Sequence, residues 1–551
     1  MEQDIRKYAL QNALKFEGKA NPGSVIGQLF SSNPELKKKA AEISKKVQEV
    51  LTKVNKMSLE EQRKELMRIA PELLEEKVKE KRTELKELEG VKAGKVIMRF
   101  APSPSGPMHI GHAMTGGLTS LYCKKYNGKF ILRIEDTNSD NIDLEAYKMI
   151  PQEAEWIFGN VSEVWIQSDR MQKYYDYAKK LIEINSCYVC TCSQEKFKEY
   201  VTKTLNCPCR SISEKENLER WDMMFDKKKG YKEGDAVLRF KSGMQDCNPA
   251  MRDFPLVRIN DSKHPRQGMK YRVWPLMNLC VTVDDIEAGM THIIRAKDHM
   301  DNAKRQEKIY QALGKKFPQT YFVGRYNFEG IEISCSKTKE KIKKGEFKGW
   351  DDVRIPFLAA LKRRGIQPEA LLRFTKEVGL SQVDKKMDGK DYFKIIYSYN
   401  REIIDSTSKR FFFVKGDCKI KIENEVKSVN VPLHPENNKM GMKKIKVGKE
   451  FYVYDVIKKN ETYRFMHMFN FKNGEFISEA YDPKMKAKII HAVPVEDAVN
   501  VQVLMENGEI IKGKGEGALK DLKEGEIIQF ERMFFAILED KKKMLFVYTH
   551  D

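Results

Sequence analysis

The sequence predicts a multidomain protein that combines an α/β fold with all-β regions, and three patterns along the chain support this. Amphipathic helical patterns fill the N-terminal part, strands and helices alternate in the middle, and short alternating strands dominate the C-terminal part. At 551 residues the chain also exceeds what one hydrophobic core normally supports.

The N-terminal extension, residues 1–92, is predicted to be helical. Apolar residues recur every three or four positions among charges in PELKKKAAEISKKVQEVLTKV and in LEEQRKELMRIAPELLEEKVKEKRTELKELE. Packed amphipathic helices require this spacing. We therefore expect helix through both stretches, with the charge runs on solvated faces.

The middle of the chain is predicted to form a parallel sheet in two halves, 93–188 and 286–345. VIMRF, GHAMTGGLTSLYCKKY, KFILRIEDT and LEAYKMIPQEAEWIF alternate as strand and helix. The pattern returns at THIIRAKDHMDNAKRQEKIYQAL after a less regular insertion at 189–285. Residues 346–408 are expected to form a helical connector, and residues 409–551 small β-barrels.

Composition predicts a polyanionic partner. Lys and Arg exceed Asp and Glu by 100 to 80, giving a net charge of +20. Such an excess favours nucleic acid over a membrane surface; a general bias toward lysine in soluble proteins is the alternative. No apolar run approaches the roughly 18 residues that a membrane span needs, and the N-terminus lacks a hydrophobic signal core. We expect a cytoplasmic protein with no membrane contact.

The segment MRFAPSPSGPMHIGHAMTGG places two histidines where a strand–loop–helix pattern reaches its helix. A helix N-terminus favours anions through its free N–H groups and its dipole. His109 and His112 are three apart and share one face, and Gly111 leaves the backbone open to a flat ring. The arrangement predicts nucleotide binding with phosphate chemistry; two histidines that only cap a helix are the plain alternative.

Two further segments bear on this site. A carboxylate at the carboxyl end of a parallel strand faces the ligand crevice, so Glu135 in ILRIEDT is a candidate for a substrate ammonium group, and an ordinary strand-to-turn residue otherwise. In ISCSK and the following TKEKIKKGEFK, six lysines oppose two glutamates between 337 and 348. A mobile Ser/Lys-rich loop can close on a triphosphate; a solvated basic loop is the alternative.

Five of the ten cysteines lie between residues 187 and 209, which indicates a metal site rather than a disulfide scaffold. Cys190, Cys192, Cys207 and Cys209 form two close pairs, a donor set that suits tetrahedral Zn²⁺ in a structural role. Four reduced cysteines in a loop-rich insertion are the alternative. Cys187 is expected to pack rather than to ligate.

In combination, these motifs resemble the class I aminoacyl-tRNA synthetases, and most closely the glutamyl-tRNA synthetases of the archaeal type. The resemblance extends over nearly the whole chain. It implies a Rossmann-type catalytic domain, an inserted acceptor-end-binding region and C-terminal anticodon-binding β-barrels. The matching segments are RFAPSPSGPMHIGH, ILRIEDT, YRVWPLMN, HIIRAKDHMDN, GWDDVR with LKRRGI, and LQNALKFEGKANPGSVIG.

The resemblance also implies roles for single residues. His109 and His112 would bind the phosphates of ATP, with Gly111 beneath the adenine. Cys335 replaces the second lysine of the usual KMSKS signature, so Lys337 would take the phosphate role together with Ser334 and Ser336. Trp274 stands where bacterial relatives carry tyrosine. The positions that match glutamate-holding residues of the family are Arg99, Ser103, Glu135, Asn278 and Arg295.

The function that follows is a glutamate–tRNA ligase using ATP with Mg²⁺, glutamate and tRNA(Glu). By the same resemblance, glutaminyl enzymes and eukaryotic glutamyl enzymes read RFPPEPNG and YPTYDFA where this chain reads RFAPSPSG and VWPLMN, which favours glutamate. The alternatives are a glutaminyl-tRNA synthetase and a non-catalytic tRNA-binding paralogue. The sequence leaves open whether tRNA(Gln) is also charged, and it identifies no protein partner.

Overall fold

The computed structural model describes residues 2–16, 18–73 and 84–551. The chain divides into two compact units, Met1–Lys81 and Arg82–Asp551. Among the helices within the described ranges, none combines the length and the apolar character that a membrane crossing needs.

The described residues of the N-terminal unit pack four α-helices around an apolar core. These are α1 (Glu2–Lys15), α2 (Pro22–Ser32), α3 (Ala40–Val54) and α4 (Leu59–Ile69). The expectation of helix through 59–89 is wrong at Ala70, which precedes Pro71 and adopts a non-helical conformation, and Pro71–Leu73 then forms a short 3-10 helix. Residues 84–90 are not helical either, and 74–83 lie outside the described residues.

The second unit begins with the predicted alternation of strand and helix. Strands β1 to β3 pair in parallel in the order β1-β2-β3, which confirms the parallel sheet expected from the sequence. The elements in chain order are β1 (Ile97–Phe100), α5 (Ile110–Lys125), β2 (Lys129–Ile134), α6 (Ala146–Phe158), β3 (Glu163–Ile166) and α7 (Met171–Glu183).

The inserted region contains a regular four-stranded antiparallel sheet in the order β4-β5-β6-β7. Its elements are β4 (Cys187–Cys190), α8 (Gln194–Lys203), α9 (Glu214–Phe225), β5 (Val237–Phe240), β6 (Pro255–Ile259) and β7 (Val273–Pro275). Parallel pairing then returns between β8 and β9. The elements there are α10 (Met277–Glu287), β8 (His292–Ala296), α11 (Met300–Ala312), β9 (Gln319–Val323), β10 (Tyr326–Glu329) and α12 (Cys335–Lys343).

A mainly helical connector follows, as the sequence predicts. It consists of α13 (Leu358–Arg363), α14 (Pro368–Val378), β11 (Lys385–Asp388) and α15 (Gly389–Ile404). Strand β11 pairs in parallel with β10 and so joins the connector to the segment that leads into α12.

The C-terminal part is built from short strands with two main apolar cores. The strands are β12 (Lys409–Phe411), β13 (Phe413–Lys415), β14 (Lys419–Lys421), β15 (Ser428–Pro432), β16 (Met442–Lys446), β17 (Glu450–Val453), β18 (Thr462–Phe465), β19 (Asn470–Lys472), β20 (Glu475–Ser478), β21 (Lys488–Ile490), β22 (Ala492–Pro494), β23 (Ala498–Leu504), β24 (Ile510–Glu516), β25 (Ile527–Phe530), β26 (Phe534–Asp540) and β27 (Leu545–His550). One seven-stranded sheet has the order β12-β25-β26-β27-β23-β24-β13.

Candidate active site

A cavity of about 540 Å³ lies at the N-terminus of α5. His109, Gly111 and His112 line it together with Ala296 and Val323, the last residues of the parallel strands β8 and β9. Ligands of open α/β sheets bind at the carboxyl ends of parallel strands. The cavity therefore has the position that the sequence predicts for a nucleotide.

The two histidines of this cavity are neutral and have defined tautomers. The Nδ1 of His109 accepts the N–H of Gly111 at 3.1 Å, and the Nδ1 of His112 accepts the N–H of His109 at 3.3 Å. Because a neutral imidazole has one donor and one acceptor nitrogen, each proton lies on Nε2. Burial lowers the pKa of His112 to about 4, and burial and then His112 lower the pKa of His109 well below its ordinary value.

Gly111 leaves space for the side chain of His109, two residues earlier in the chain. A Cβ at this position would lie 2.9 Å from the Cε1 of His109, closer than side chains pack. The sequence predicts that this glycine allows a flat ring to approach the backbone. In the structure the imidazole of His109 occupies the space that a side chain at position 111 would need.

Glu153, a residue that the sequence did not indicate, forms a hydrogen bond to the backbone of the loop before α5. It is 7% exposed, and its Oε2 accepts the N–H of Met108 at 2.7 Å, one residue before His109. Burial raises the pKa of Glu153 to about 8. The sequence gives little signal for this contact because the two residues are 45 positions apart.

The predicted Ser/Lys-rich loop is instead a helix in its first part. Ser334 caps α12 by accepting the N–H of Lys337 at 3.4 Å, and Glu340 pairs with Lys344 one turn apart. A serine cap followed by Lys and Glu residues at this spacing favours helix, so the loop expectation is wrong for 335–343. Lys337 is largely exposed and pairs with Glu332 at 3.1 Å.

Neither Lys337 nor the serines Ser334 and Ser336 are among the described residues that line the cavity, whose edge is formed by Glu332 and Ile333. Cys335 faces the loop before α5. A Cβ on Gly106 would lie 3.1 Å from the Sγ of Cys335. Burial raises the pKa of this thiol to about 11, so it packs as a neutral side chain.

Two of the residues predicted to hold glutamate, Arg99 and Glu135, belong to a network of charged side chains that also contains Arg133 and Asp285. Asp285 on α10 accepts a hydrogen bond from Nη1 of Arg133 at 2.6 Å and one from Nε of Arg99 at 3.4 Å. The Nη2 of Arg133 reaches Glu135 at 3.3 Å. Burial alone would raise the pKa of Asp285, but Arg133 and Arg99 outweigh it and lower that pKa. Asp285 thus anchors Arg99 directly and Glu135 through Arg133.

Arg295 and Asn278 lie beside this group and are also buried. Burial and then the charge of Arg99 lower the pKa of Arg295 to about 10. Ser103 is exposed in the loop after β1. Trp274 is buried and stacks on His264 with ring centroids 4.8 Å apart.

The four predicted zinc ligands come together. The Sγ atoms of Cys190, Cys192, Cys207 and Cys209 all lie within 4.8 Å of one another, with hydrogen-bonded pairs at 3.4–3.9 Å. Four sulfurs at Zn–S distances near 2.3 Å would be about 3.8 Å apart in a tetrahedron, so the cluster fits this ion. Cys187 is fully buried in a neighbouring apolar core.

A cavity at a strand-to-helix junction of a parallel sheet is the arrangement expected of a class I tRNA synthetase. Residues 95–404 match the family of tRNA synthetases class I (E and Q), catalytic domain, and residues 408–492 match the anti-codon binding domain of the same family. The chain belongs to this family, which confirms the resemblance found in its motifs.

More particularly, the chain is similar to glutamate–tRNA ligases. That of Methanococcus maripaludis is 40% identical over 98% of both chains, and that of Methanocaldococcus jannaschii is 42% identical over the full length of both. A solved glutamate tRNA ligase from Elizabethkingia meningosepticum, in complex with its amino acid, is 19% identical with a TM-score of 0.40. The match covers 57% of this chain and 70% of that chain.

Proposed function

We propose that this chain is a glutamate–tRNA ligase that activates glutamate with ATP and transfers the glutamyl group to the 3′ end of tRNA(Glu). The curated relatives with full-length similarity have this activity by name. The choice of glutamate is supported by the buried guanidinium groups of Arg99 and Arg295. Arg99 contacts Asp285, which also binds the Arg133 that reaches Glu135. Such a site favours a ligand with two carboxylates and one ammonium group.

Activation joins the α-carboxylate of glutamate to the α-phosphorus of ATP and releases pyrophosphate. His109 and His112 would donate hydrogen bonds from Nε2–H to phosphate oxygens as the charge on them grows. Lys337 would add positive charge once its pair with Glu332 opens. Mg²⁺ enters with ATP as part of the substrate. Positioning and electrostatic stabilisation supply the catalysis without a covalent enzyme intermediate.

The amino acid would be held by charge complementarity. Glu135 would bind the ammonium group, while Arg99 and Arg295 would bind carboxylate oxygens and Asn278 and Ser103 would hydrogen-bond the rest. Charge-assisted hydrogen bonds of this kind contribute about 1.5–3 kcal/mol each. The fixed position of Arg99 and Glu135 around Asp285 supports this assignment.

We further propose that Cys190, Cys192, Cys207 and Cys209 hold a structural Zn²⁺ in the acceptor-end-binding insertion. The expected boundaries 189–285 of this insertion would cut β4 and α10, so we propose that it begins with β4 at Cys187 and ends before α10 at Met277. We propose a helical extension that stops short of residue 84, catalytic halves on either side of the insertion, a connector at 346–408 and anticodon-binding β-barrels at 409–551. The names of the relatives give no support for tRNA(Gln) as a second acceptor.

A single-turnover aminoacylation assay tests whether this is an enzyme or a tRNA-binding scaffold. Wild type should charge tRNA(Glu) with labelled glutamate, and His109→Ala should lose about 10²–10³ of the rate, as for removal of a preorganised donor. Equal, near-zero product from both proteins would contradict catalysis.

A further inference from the structure

Gln306 on α11 lies in the interior and joins two of the residues proposed to hold glutamate. Its side chain is 1% exposed. Its Oε1 accepts a hydrogen bond from Nη1 of Arg295 at 2.8 Å, and its Nε2 donates to Oδ1 of Asn278 at 3.2 Å. One amide therefore links a charged and a neutral member of the proposed amino-acid site.

The orientation of these amides follows from chemistry. A guanidinium group has only donors, so Arg295 requires the oxygen of Gln306, and the nitrogen of Gln306 must face Asn278. The Nδ2 of Asn278 in turn donates to Oδ1 of Asn302 at 3.3 Å. Gln306 thus fixes both the position of Arg295 and the orientation of the Asn278 amide.

Gln306 anchors Arg295 without neutralising it. In the described ranges of the chain no carboxylate forms an ion pair with Arg295, whereas Arg99 reaches Asp285 at 3.4 Å. The Nε of Arg295 is buried and has no hydrogen-bond partner. Glu135 and Asp285 stabilise the charge of Arg295 only from a distance. A buried cation without a contacting counter-ion is costly, and a ligand that brings a carboxylate into contact relieves that cost.

We propose that Gln306 is a positioning residue for the selection of glutamate over glutamine. Its neutral amide holds Arg295 in place while leaving the guanidinium charge for the side-chain carboxylate of the substrate. A carboxylate at position 306 would form the ion pair itself, so a substrate carboxylate would gain little over a neutral amide. This inference depends on the proposed function, because it concerns which amino acid the same site accepts.

The test is ATP–pyrophosphate exchange with glutamate and with glutamine, measured with tRNA present for four proteins. These are wild type, Gln306→Glu, Gln306→Met, and Gln311→Glu as a matched control, since Gln311 is exposed on the same helix. For Gln306→Glu we expect the KM for glutamate to rise about 10–100-fold, as for loss of one hydrogen bond to a charged group. The KM for ATP and kcat should stay within about twofold, and the ratio of kcat/KM for glutamate over glutamine should fall at least tenfold.

Gln306→Met releases Arg295 but leaves its charge, so the KM for glutamate should rise while the ratio between the amino acids falls less than in Gln306→Glu. If Gln306→Glu does not fold, Gln306→Met provides the test. The proposal then requires that its KM for glutamate rises while its KM for ATP stays unchanged. An unchanged ratio in folded Gln306→Glu, or a matching loss for ATP, would overturn the proposal. Wild-type exchange that fails with glutamate but proceeds with glutamine would contradict the proposed function instead.

Discussion

His109 and His112 stack on each other with ring centroids 4.0 Å apart, and the Nδ1 of each ring accepts a backbone N–H. This arrangement closes the first turn of α5 and leaves one Nε2–H on each ring for a ligand. In the proposed site the two histidines would therefore bind phosphate as uncharged hydrogen-bond donors, and not as cations.

The KM for ATP should accordingly be flat between about pH 6 and 8. The pKa of His112 is lowered to about 4 and that of His109 well below its ordinary value, so neither ring of the free enzyme gains a proton in this range. Initial rates at saturating glutamate and tRNA across this range provide the measurement. A KM that falls severalfold as the pH drops through 6.5 would show that charged imidazoles bind the phosphates.

Gly111→Ala should raise the KM for ATP about tenfold, because the new Cβ would displace the ring of His109. Thermal unfolding should change little, since the substitution adds a helix-favouring residue at the same time. Gly27→Ala is the matched control: it lies within a helix, and a Cβ there meets no atom within 4 Å. Equal KM values for all three proteins would show that His109 moves freely.

Glu153→Gln should change how stability depends on pH. The pKa of Glu153 is raised to about 8 by burial. The folded protein therefore favours the protonated form of the Glu153 carboxyl group. This preference stabilises the fold fully below the ordinary carboxyl pKa, and the stabilisation is lost as the pH rises through 8. Position 153 of the variant cannot ionise. Between pH 4.5 and 8.5 the free energy of unfolding of wild type should therefore fall by about 2–4 kcal/mol relative to that of the variant, at about 1.4 kcal/mol per pKa unit.

Denaturant titrations across that pH range measure this difference. Glu155→Gln, an exposed neighbour on α6, is the matched control and should follow wild type. Parallel pH curves for wild type and Glu153→Gln would contradict the raised pKa.

Purified wild type should contain one Zn²⁺ per chain by elemental analysis, and Cys209→Ser should lose it. The four Sγ atoms lie at the spacing that a tetrahedral ion needs. Cys247→Ser, an exposed cysteine outside the cluster, should keep the metal. The proposed zinc site would be contradicted if purified wild type contains no zinc and unfolds at the same temperature with and without added Zn²⁺.

The parts of the site that lie close together in the sequence were the predictable ones. The strand, loop and helix around His109 follow one another within residues 97–125, and the four cysteines form two short pairs. The position of Glu135 was predictable because it directly follows a strand of recognisable pattern. In these cases the order of neighbouring residues and their chemical type were enough to predict the arrangement.

The supporting contacts were not predictable, since they join distant positions. Arg133 and Asp285 are 152 residues apart, and each looks in isolation like an ordinary charged residue. Their partnership depends on the packing of α10 against the sheet. The helix at 335–343 was missed although its serine cap and its Glu–Lys spacing were present, because the density of lysines favoured a loop.

The most direct measurement of the central claim is ATP–pyrophosphate exchange by wild type with tRNA present, using glutamate and glutamine as separate substrates. The proposed site predicts exchange with glutamate and a preference over glutamine of at least one to two decades in kcat/KM, from one additional charge-assisted hydrogen bond. Exchange stimulated by glutamine alone would contradict it.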